Sequence, residues 1–452
     1  MADLLLGIDV GTTACKAALV DAAGAEVAVG SAPTPWRRVR TGAEIDPDRL
    51  FAAAVAAGAA ALRAAPDGRV AAVGVTSMAE TGVLLDAAGE VLHPAIAWHD
   101  GRGAAQANAI ATDLPAFTTR TGLPASPLCS LAKIAALREA APETRAAARW
   151  LNVAEWVVHR LGGRQVTELS LASRTGLLDV GEARPYQDAL AWGGLPDDLL
   201  AEPLVAGQDA GRATGDIPSE LRGAVLTVAG HDHLAAGVGV GVVAPGDVLD
   251  SCGTAEALVR IVTGPLPDEA VRRSVAGGVT VGCHFAPGRQ ALLGSLWSGL
   301  ALREVLDGLG LGEADLERLD AAALSIAPGA GAPLVLELHA LDRTPPAMPD
   351  AAPGAIWRAA LDAVAAEATA ILAHIDAVSG PHLRVVVAGG WARDSALIAT
   401  KRARGAVAAP PVEQAGCRGA ALLAGVAAGT YAGLDDLPAV VALDLRLDKE
   451  PA

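Results

Sequence analysis

Near the start of the chain, Asp9-Val10-Gly11-Thr12-Thr13, with Lys16 just beyond, carry the donors and acceptors that a phosphate group and its counter-ion require. Gly11 has no Cβ, so backbone N–H groups can approach an anion, while Thr12 and Thr13 add hydroxyl donors and Lys16 a positive charge. Asp9 ends an apolar run and is placed to hold hydrated Mg²⁺ through its carboxylate. An ordinary hairpin with a glycine turn reads the same over so short a stretch. Comparable turns recur at Cys252-Gly253-Thr254 and at Gly389-Gly390-Trp391-Ala392-Arg393-Asp394. Three Gly- or Thr-containing turns at the ends of apolar runs could together cradle a nucleotide.

A fourth cluster, Gly230-His231-Asp232-His233, follows the apolar run Ala224 to Ala229 and precedes a short helical stretch. Asp232 at a helix start has backbone N–H groups to favour its ionised form. Two uses fit it: capping the helix or accepting a proton from a hydroxyl. A zinc site is a poor fit, because adjacent residues do not converge as an i, i+4 helical pair does.

These residues must be held by strands and helices, and the pattern supplies both. Leu4 to Val10 and Ala14 to Val20 are apolar runs around a tight turn, and Glu26 to Ser31 continues as a strand. Pro33 to Pro47 reads as a polar loop, and Asp48 to Ala65 as an Ala-rich helix closed by Pro66-Asp67-Gly68. Val70 to Val75 is a further apolar strand, and Ser130 to Leu161 reads as two helical segments punctuated by Pro142. Strands Asp247 to Ser251 and Arg384 to Ala388, helices Leu300 to Leu309 and Ala355 to Ser379, and a small-residue helix Glu413 to Tyr431 complete the outline. The alternation predicts an α/β protein of two similar-sized domains with a cleft between them and a Gly-rich hinge over Gly237 to Gly246.

The bulk composition bounds the rest. A 452-residue chain is long enough for two large domains. Its hydrophobic share is 52% but its aromatic share only 3%, so the cores must be built by close packing of small residues. The net charge of −16, with no long basic run, argues against nucleic-acid binding. Cys15, Cys129, Cys252, Cys283 and Cys417 are scattered without a CxxC pair, which suits a reducing compartment. No stretch reads as a secretory leader or a convincing membrane span, and the expected location is the cytoplasm.

Taken together the motifs resemble the FGGY family of carbohydrate kinases, within the actin-like (ribonuclease H-like) ATPase superfamily. GIDVGTTACKAALVD resembles its first phosphate motif and PAIAWHDGR its Trp–x–Asp–x–Arg sugar loop. LNVAEWVVHRLGGRQVTELSLASRTGLLD is similar to its mid-domain signature, and AGHDHLAAGVG to its catalytic-base motif. VLDSCGTAEALV resembles the second phosphate motif and LDRTPP the Glu-Arg-Thr-Pro loop, while VVAGGWARDSAL with EQAGCRGAALLAGVAAG resembles the adenosine region. No match to the xylulokinase or glycerol kinase subgroup stands out: Glu80 is kept, but Ala79 stands where glycerol kinases have Arg, and the Gln-Met-His stretch of xylulokinases is missing.

The resemblance implies two actin-like domains, 1–240 with the phosphate turn, sugar loops and base, and 241–452 with the second phosphate turn and adenosine region. It implies ATP and Mg²⁺, with Gly11, Thr12, Thr13, Lys16, Gly253, Thr254, Gly389, Gly390, Ala392 and Asp394 on the nucleotide and Asp9 and Asp232 on the metal. It makes Asp232 the general base and assigns Met78, Glu80, Thr81, Trp98, Asp100, Arg102 and His233 to the sugar or polyol. Glu80 can accept two neighbouring hydroxyls, which suits a neutral acceptor. Trp98 could stack on a sugar face or fill core, and Asp100 and Arg102 could instead pair with each other. Trp391 is bulkier than the family's usual residue there, and the chain between Ala399 and Pro411 is shorter. The expected partner is a small sugar or polyol, with no nucleic acid and no membrane, and a homodimer is left open. The competing readings are a kinase-like sugar or nucleotide sensor, and another actin-like ATPase such as a chaperone or filament protein.

Overall fold

A computed structural model describes residues 3–65, 69–215, 217–340 and 344–440. Pro66-Asp67-Gly68 and the Leu341-Asp342-Arg343 part of the LDRTPP loop lie outside the described residues.

The first sheet is built on β1 (Asp3–Val10), β2 (Ala14–Val20), β3 (Glu26–Pro33), β4 (Arg69–Ser77), β5 (Gly211–Arg212) and β6 (Val225–His231) in the order β5-β6-β4-β1-β2-β3. β1 pairs antiparallel with β2 and parallel with β4, and β4 is parallel to β6. Central position explains the composition of β1: with neighbours on both edges and layers on both faces, Leu4, Leu5, Leu6 and Ile8 are all buried. The second sheet consists of β7 (Asp247–Cys252), β8 (Glu256–Thr263), β9 (Thr280–Cys283), β10 (Arg289–Leu296), β11 (Arg384–Ala388) and β12 (Val407–Ala408), in the order β9-β10-β8-β7-β11-β12. Its run β10-β8-β7-β11-β12 repeats β3-β2-β1-β4-β6 in order and direction. Each half is thus an antiparallel three-strand start followed by parallel strands reached through helices.

Helix α1 (Pro47–Ala64) joins β3 to β4, capped by Asp46, whose carboxylate accepts the Asp48 N–H at 2.9 Å. α2 (Asp232–Gly239) follows β6. α3 (Ser298–Gly308) and α4 (Pro353–Ser379) lie between β10 and β11, α5 (Ser395–Arg402) joins β11 to β12, and α6 (Ala415–Ala428) follows. α6 packs on α2 and over β1, β4 and β6, tying the second half to the first sheet. The contact is at backbone level. A Cβ on Gly7 would lie 1.8 Å from the Cys417 carbonyl oxygen, and one on Gly419 would lie 1.7 Å from that of Ala235. The small-residue composition is what makes this closeness possible.

Two expectations are corrected. Pro33 to Pro47 is not a plain loop but contains the hairpin Arg37–Val39 and Gly42–Ile45. The stretch after Pro142 is not wholly helical: strand Arg149–Asn152 pairs with Gly82–Leu85 before a helix opens at Val153. Tertiary pairing overrides local helical preference there, because a free strand edge at Gly82–Leu85 is available. Among the described residues no helix is long and apolar enough to cross a membrane.

Candidate active site

The parallel strands deliver the chemistry to one edge. Asp9 in β1 is opposite Thr76 in β4, and His231 in β6 is opposite Ser77. Asp9, the segment Met78 to Thr81 and Asp232 therefore emerge together at the carboxyl ends of three adjacent strands, where α/β folds place their sites. Thr76 Oγ1 donates to the Gly230 carbonyl at 2.6 Å and locks two of these strands.

Asp232 is the first residue of α2. Its Oδ1 accepts the His233 backbone N–H at 2.8 Å and lies 3.1 Å from His231 Nε2. Burial alone would push this carboxyl up, but the imidazoles of His233 and His231 and these hydrogen bonds outweigh it and hold it at about 2. Asp9 behaves oppositely: burial first, then the nearby Asp232 charge, raises it to about 7 against the pull of Lys16 across the hairpin. Asp9 Oδ1 is buried without a hydrogen-bond partner. Two carboxylates crowded at one strand edge, one with an orphaned oxygen, fit a divalent cation.

The turn Gly11-Thr12-Thr13 is braced from outside. Gly11 N–H reaches the Ala14 carbonyl at 3.2 Å, Thr34 Oγ1 donates to the Gly11 carbonyl at 2.7 Å, and Trp36 Nε1 donates to the Thr12 carbonyl at 2.7 Å. Thr12 Oγ1 accepts from Trp98 Nε1 at 2.8 Å and lies 3.8 Å from Met78 Sδ. Thr13 and Lys16 are exposed. In the second half, Gly253 N–H reaches the Ala255 carbonyl at 3.0 Å, a matching turn with Thr254 exposed. Beneath it lies an ion cluster: Lys401 Nζ donates to Asp250 at 2.5 Å and Glu256 at 2.7 Å, all three buried. The ammonium bridges two of the three side chains, Asp250 and Glu256, that with Cys252 lie close enough to group around a cation. Gly389 sits on this turn at φ 100°, where a Cβ would lie 2.5 Å from the Cys252 carbonyl.

Glu80 occupies the left-handed region at φ 61°, which a residue with a Cβ adopts only under constraint. Arg174, just after the helix Leu169–Ala172, supplies part of that constraint. Its Nε donates to Glu80 Oε1 at 2.8 Å and its Nη1 to Thr280 Oγ1 of β9 at 2.7 Å. Thr81 is buried with an unpartnered hydroxyl beside Glu80.

Other residues singled out from the sequence are occupied elsewhere. Arg102 pairs with Asp100 at 2.7 Å and Glu44 at 2.6 Å, and Asp100 accepts the Ala43 N–H at 2.8 Å, so both shape their loop against the 37–45 hairpin. Trp98 stacks on Trp297 at 5.9 Å with an interplanar angle of 6°. Asp394 caps α5 through the Leu397 N–H at 2.7 Å, and burial raises its carboxyl to about 6. Trp391 packs beside Gly299 and Trp357, with Gly390 and Ala392 on either side. Trp297 and Lys401 carry no spacing signal, and Arg174 lies inside the mid-domain signature with nothing in its spacing to single it out. The buried acids Glu155 and Glu168, which support Asp232 from behind through Ser170 and the His231 N–H, have only the polarity of the mid-domain signature to announce them.

Residues 4–239 match the N-terminal domain of the FGGY family of carbohydrate kinases. The chain is 32% identical over 475 aligned residues to the glycerol kinase of Methylobacterium nodulans, covering 95% of this chain and 91% of that protein. The chain belongs to the FGGY family. It is also 24% identical to the gluconokinase of Bacillus subtilis, over 96% of this chain and 90% of that one. The solved xylulose kinase of Rhodospirillum rubrum superposes with a TM-score of 0.82 at 25% identity, covering 99% of this chain and 94% of that one. The FGGY fold, two actin-like α/β domains around a cleft, accounts for the repeated sheet order. Membership makes the chain an ATP-using phosphotransferase with an alcohol group of a sugar or polyol as acceptor.

Proposed function

We propose that Asp232 is the general base that accepts the proton of an acceptor hydroxyl as its oxygen attacks the γ-phosphoryl group of ATP. The observation that carries this reading is the state of Asp232: ionised at neutral pH, oriented by His231 and its own helix start, and set on one edge with Asp9. In a loose phosphoryl-transfer transition state, positioning and charge stabilisation supply most of the acceleration, so a well-oriented carboxylate suffices even with a low pKa. The structural role of Asp232 as a helix opener and its role as base are compatible, since both need the anion.

In this reading Gly11, Thr12, Thr13 and Lys16 face the terminal phosphates from the first half and Gly253 and Thr254 from the second. Gly389, Gly390 and Ala392 line the adenosine side, and Asp394 holds that turn through its cap on α5. Asp9 and Asp232 would hold Mg²⁺, which supplies neutralisation of the phosphoryl oxygens when bound. Glu80, positioned by Arg174, receives the acceptor's hydroxyls, with Met78, Thr81 and His233 beside it. We place the domain division at residues 240 and 241; of the hinge expected over Gly237 to Gly246, residues Gly237 to Gly239 are helical in α2, which leaves 240–246 before β7 as the hinge. The named relatives point to glycerol, gluconate and xylulose as the acceptors to try.

The test is ADP release from Mg²⁺-ATP against a panel of triols, tetritols, ketopentoses and aldonates, beside Asp232→Asn. One acceptor should stimulate release, and the variant should lose about 10²–10⁴-fold in kcat while still binding nucleotide. Full turnover in the variant would remove Asp232 from the role.

A further inference from the structure

The stack between Trp98 and Trp297 joins the two halves at the level of their phosphate turns. Trp98 follows the short strand Ala95–Ile96 of the first half, and its indole N–H is committed to the Thr12 hydroxyl at 2.8 Å. Trp297 lies between β10 and α3 of the second half, at the N-cap of α3. Its backbone N–H is anchored on the Leu338 carbonyl at 2.8 Å. The segment that follows it grips the other turn: Leu300 N–H reaches the Thr254 carbonyl at 2.9 Å. Between these two anchored ends the rings lie parallel at 5.9 Å, and His99 packs edge-on against Trp98 at 5.3 Å from the outside. In a chain with 3% aromatic residues, two tryptophans from opposite halves meeting face to face is a specific contact.

We propose that Trp297 is a positioning residue for phosphoryl transfer: by stacking on Trp98 across the cleft it fixes the hydrogen bond from Trp98 to Thr12, so the first phosphate turn reaches its working arrangement only when the halves are closed. The inference rests on the phosphate-binding role given to Thr12 above. Its physical logic is direct. Thr12 Oγ1 can accept from Trp98 while keeping its own proton to donate; an indole free to swing away would leave the hydroxyl rotor to choose other partners. A donor displaced by about an ångström costs on the order of 10²-fold in rate. The device thereby links closure to chemistry and holds down water attack on the nucleotide while the cleft is open.

The test compares wild type with W297A, W297F, W98F and the W98F/W297A pair, reading kcat, KM for ATP and acceptor, acceptor-independent ATP hydrolysis, and the circular-dichroism couplet that stacked indoles produce. W297A should lower kcat by about 30- to 100-fold with each KM within about threefold, and abolish the couplet. W297F should restore most of kcat. W98F keeps a ring but drops the N–H donor, so it should lower kcat like W297A, and the pair should be no worse than either single change. Should W297A fail to fold, W98F and W297F carry the same comparison. Wild-type kcat in W297A or W98F, additive losses in the pair, or losses confined to KM would overturn the proposal. If no acceptor stimulates wild-type ADP release, the kinase reading is what fails. The couplet then tests the clasp independently: it should strengthen with Mg²⁺-ATP in wild type, and an unchanged couplet would overturn it.

Discussion

Arg174 offers the sharpest quantitative test of the acceptor-binding role proposed for Glu80. Its guanidinium and the Glu80 carboxylate are 2.8 Å apart, with side chains only 14% and 13% exposed. At an effective dielectric of about 20 the bare attraction is about 6 kcal/mol. Most of that is cancelled by the cost of removing both groups from water. Truncating one partner of such a pair costs about 2–5 kcal/mol, largely because the other charge is left unpaired. The residual exposure places this pair at the lower end, about 2–3 kcal/mol. Glu80 also sits at φ 61°, so losing its tether frees a strained backbone to relax away from the position proposed to receive the acceptor. Arg174→Ala should therefore reduce kcat/KM for the acceptor by about 30- to 150-fold, at 1.4 kcal/mol per tenfold, with KM for ATP little changed. Arg174→Lys keeps the charge but cannot reach Glu80 and Thr280 together, and should recover only part of the loss. The assay is coupled ADP release at varied acceptor, with circular dichroism to establish that the variant is folded. A folded Arg174→Ala enzyme within about threefold of wild-type kcat/KM would refute the reasoning.

Two further outcomes follow from charges that the fold keeps at a cost. Asp9→Asn removes one of two crowded carboxylates whose repulsion, with burial, raises Asp9 to about 7; ligand-free thermal stability should rise by about 2–6 °C while kinase activity and Mg²⁺-ATP stabilisation are lost. A lower melting temperature in that variant would contradict the account. Burial raises Glu155 to about 8, well above its value in an unfolded chain, despite hydrogen bonds from Asn152 and Glu168. The folded state then holds the proton more tightly, so the stabilising contribution is full below about pH 4.5 and is lost as pH climbs through about 8. Glu155→Gln, which mimics the protonated acid, should flatten the fall of melting temperature between pH 6 and 9 by several degrees; parallel curves for wild type and variant would show that Glu155 is not the group responsible.

The strands that bear Asp9, lead into Asp232 and span Arg384 to Ala388 were legible from sequence because central strands buried on both faces must be continuous apolar runs, and each ended where a turn had to begin. The family, too, was legible, since its motifs recur in order along nearly the whole chain. The hairpin at 37–45 and the strand Arg149–Asn152 were not: their residues have no strong period, and only the edges they pair with make them strands.

What the sequence by itself determined, then, is the alternation of elements, the repeated strand–turn design and the residue types available to a phosphate. What the tertiary structure decided is who meets whom. Trp98 could have faced a sugar or a core, and it faces Trp297, nearly two hundred positions away. Asp100 and Arg102, adjacent in the motif to Trp98, are drawn off by Glu44 and the Ala43 backbone. Glu80 finds its arginine in Arg174 instead of at position 79, and Lys401 neutralises acids on β7 and β8 from a distant helix. The physical reason is common to all of these. A strand or helix is chosen by interactions among near neighbours, which a sequence displays, whereas a buried charge or ring must be satisfied by whatever the packing of remote elements brings within about 3–6 Å.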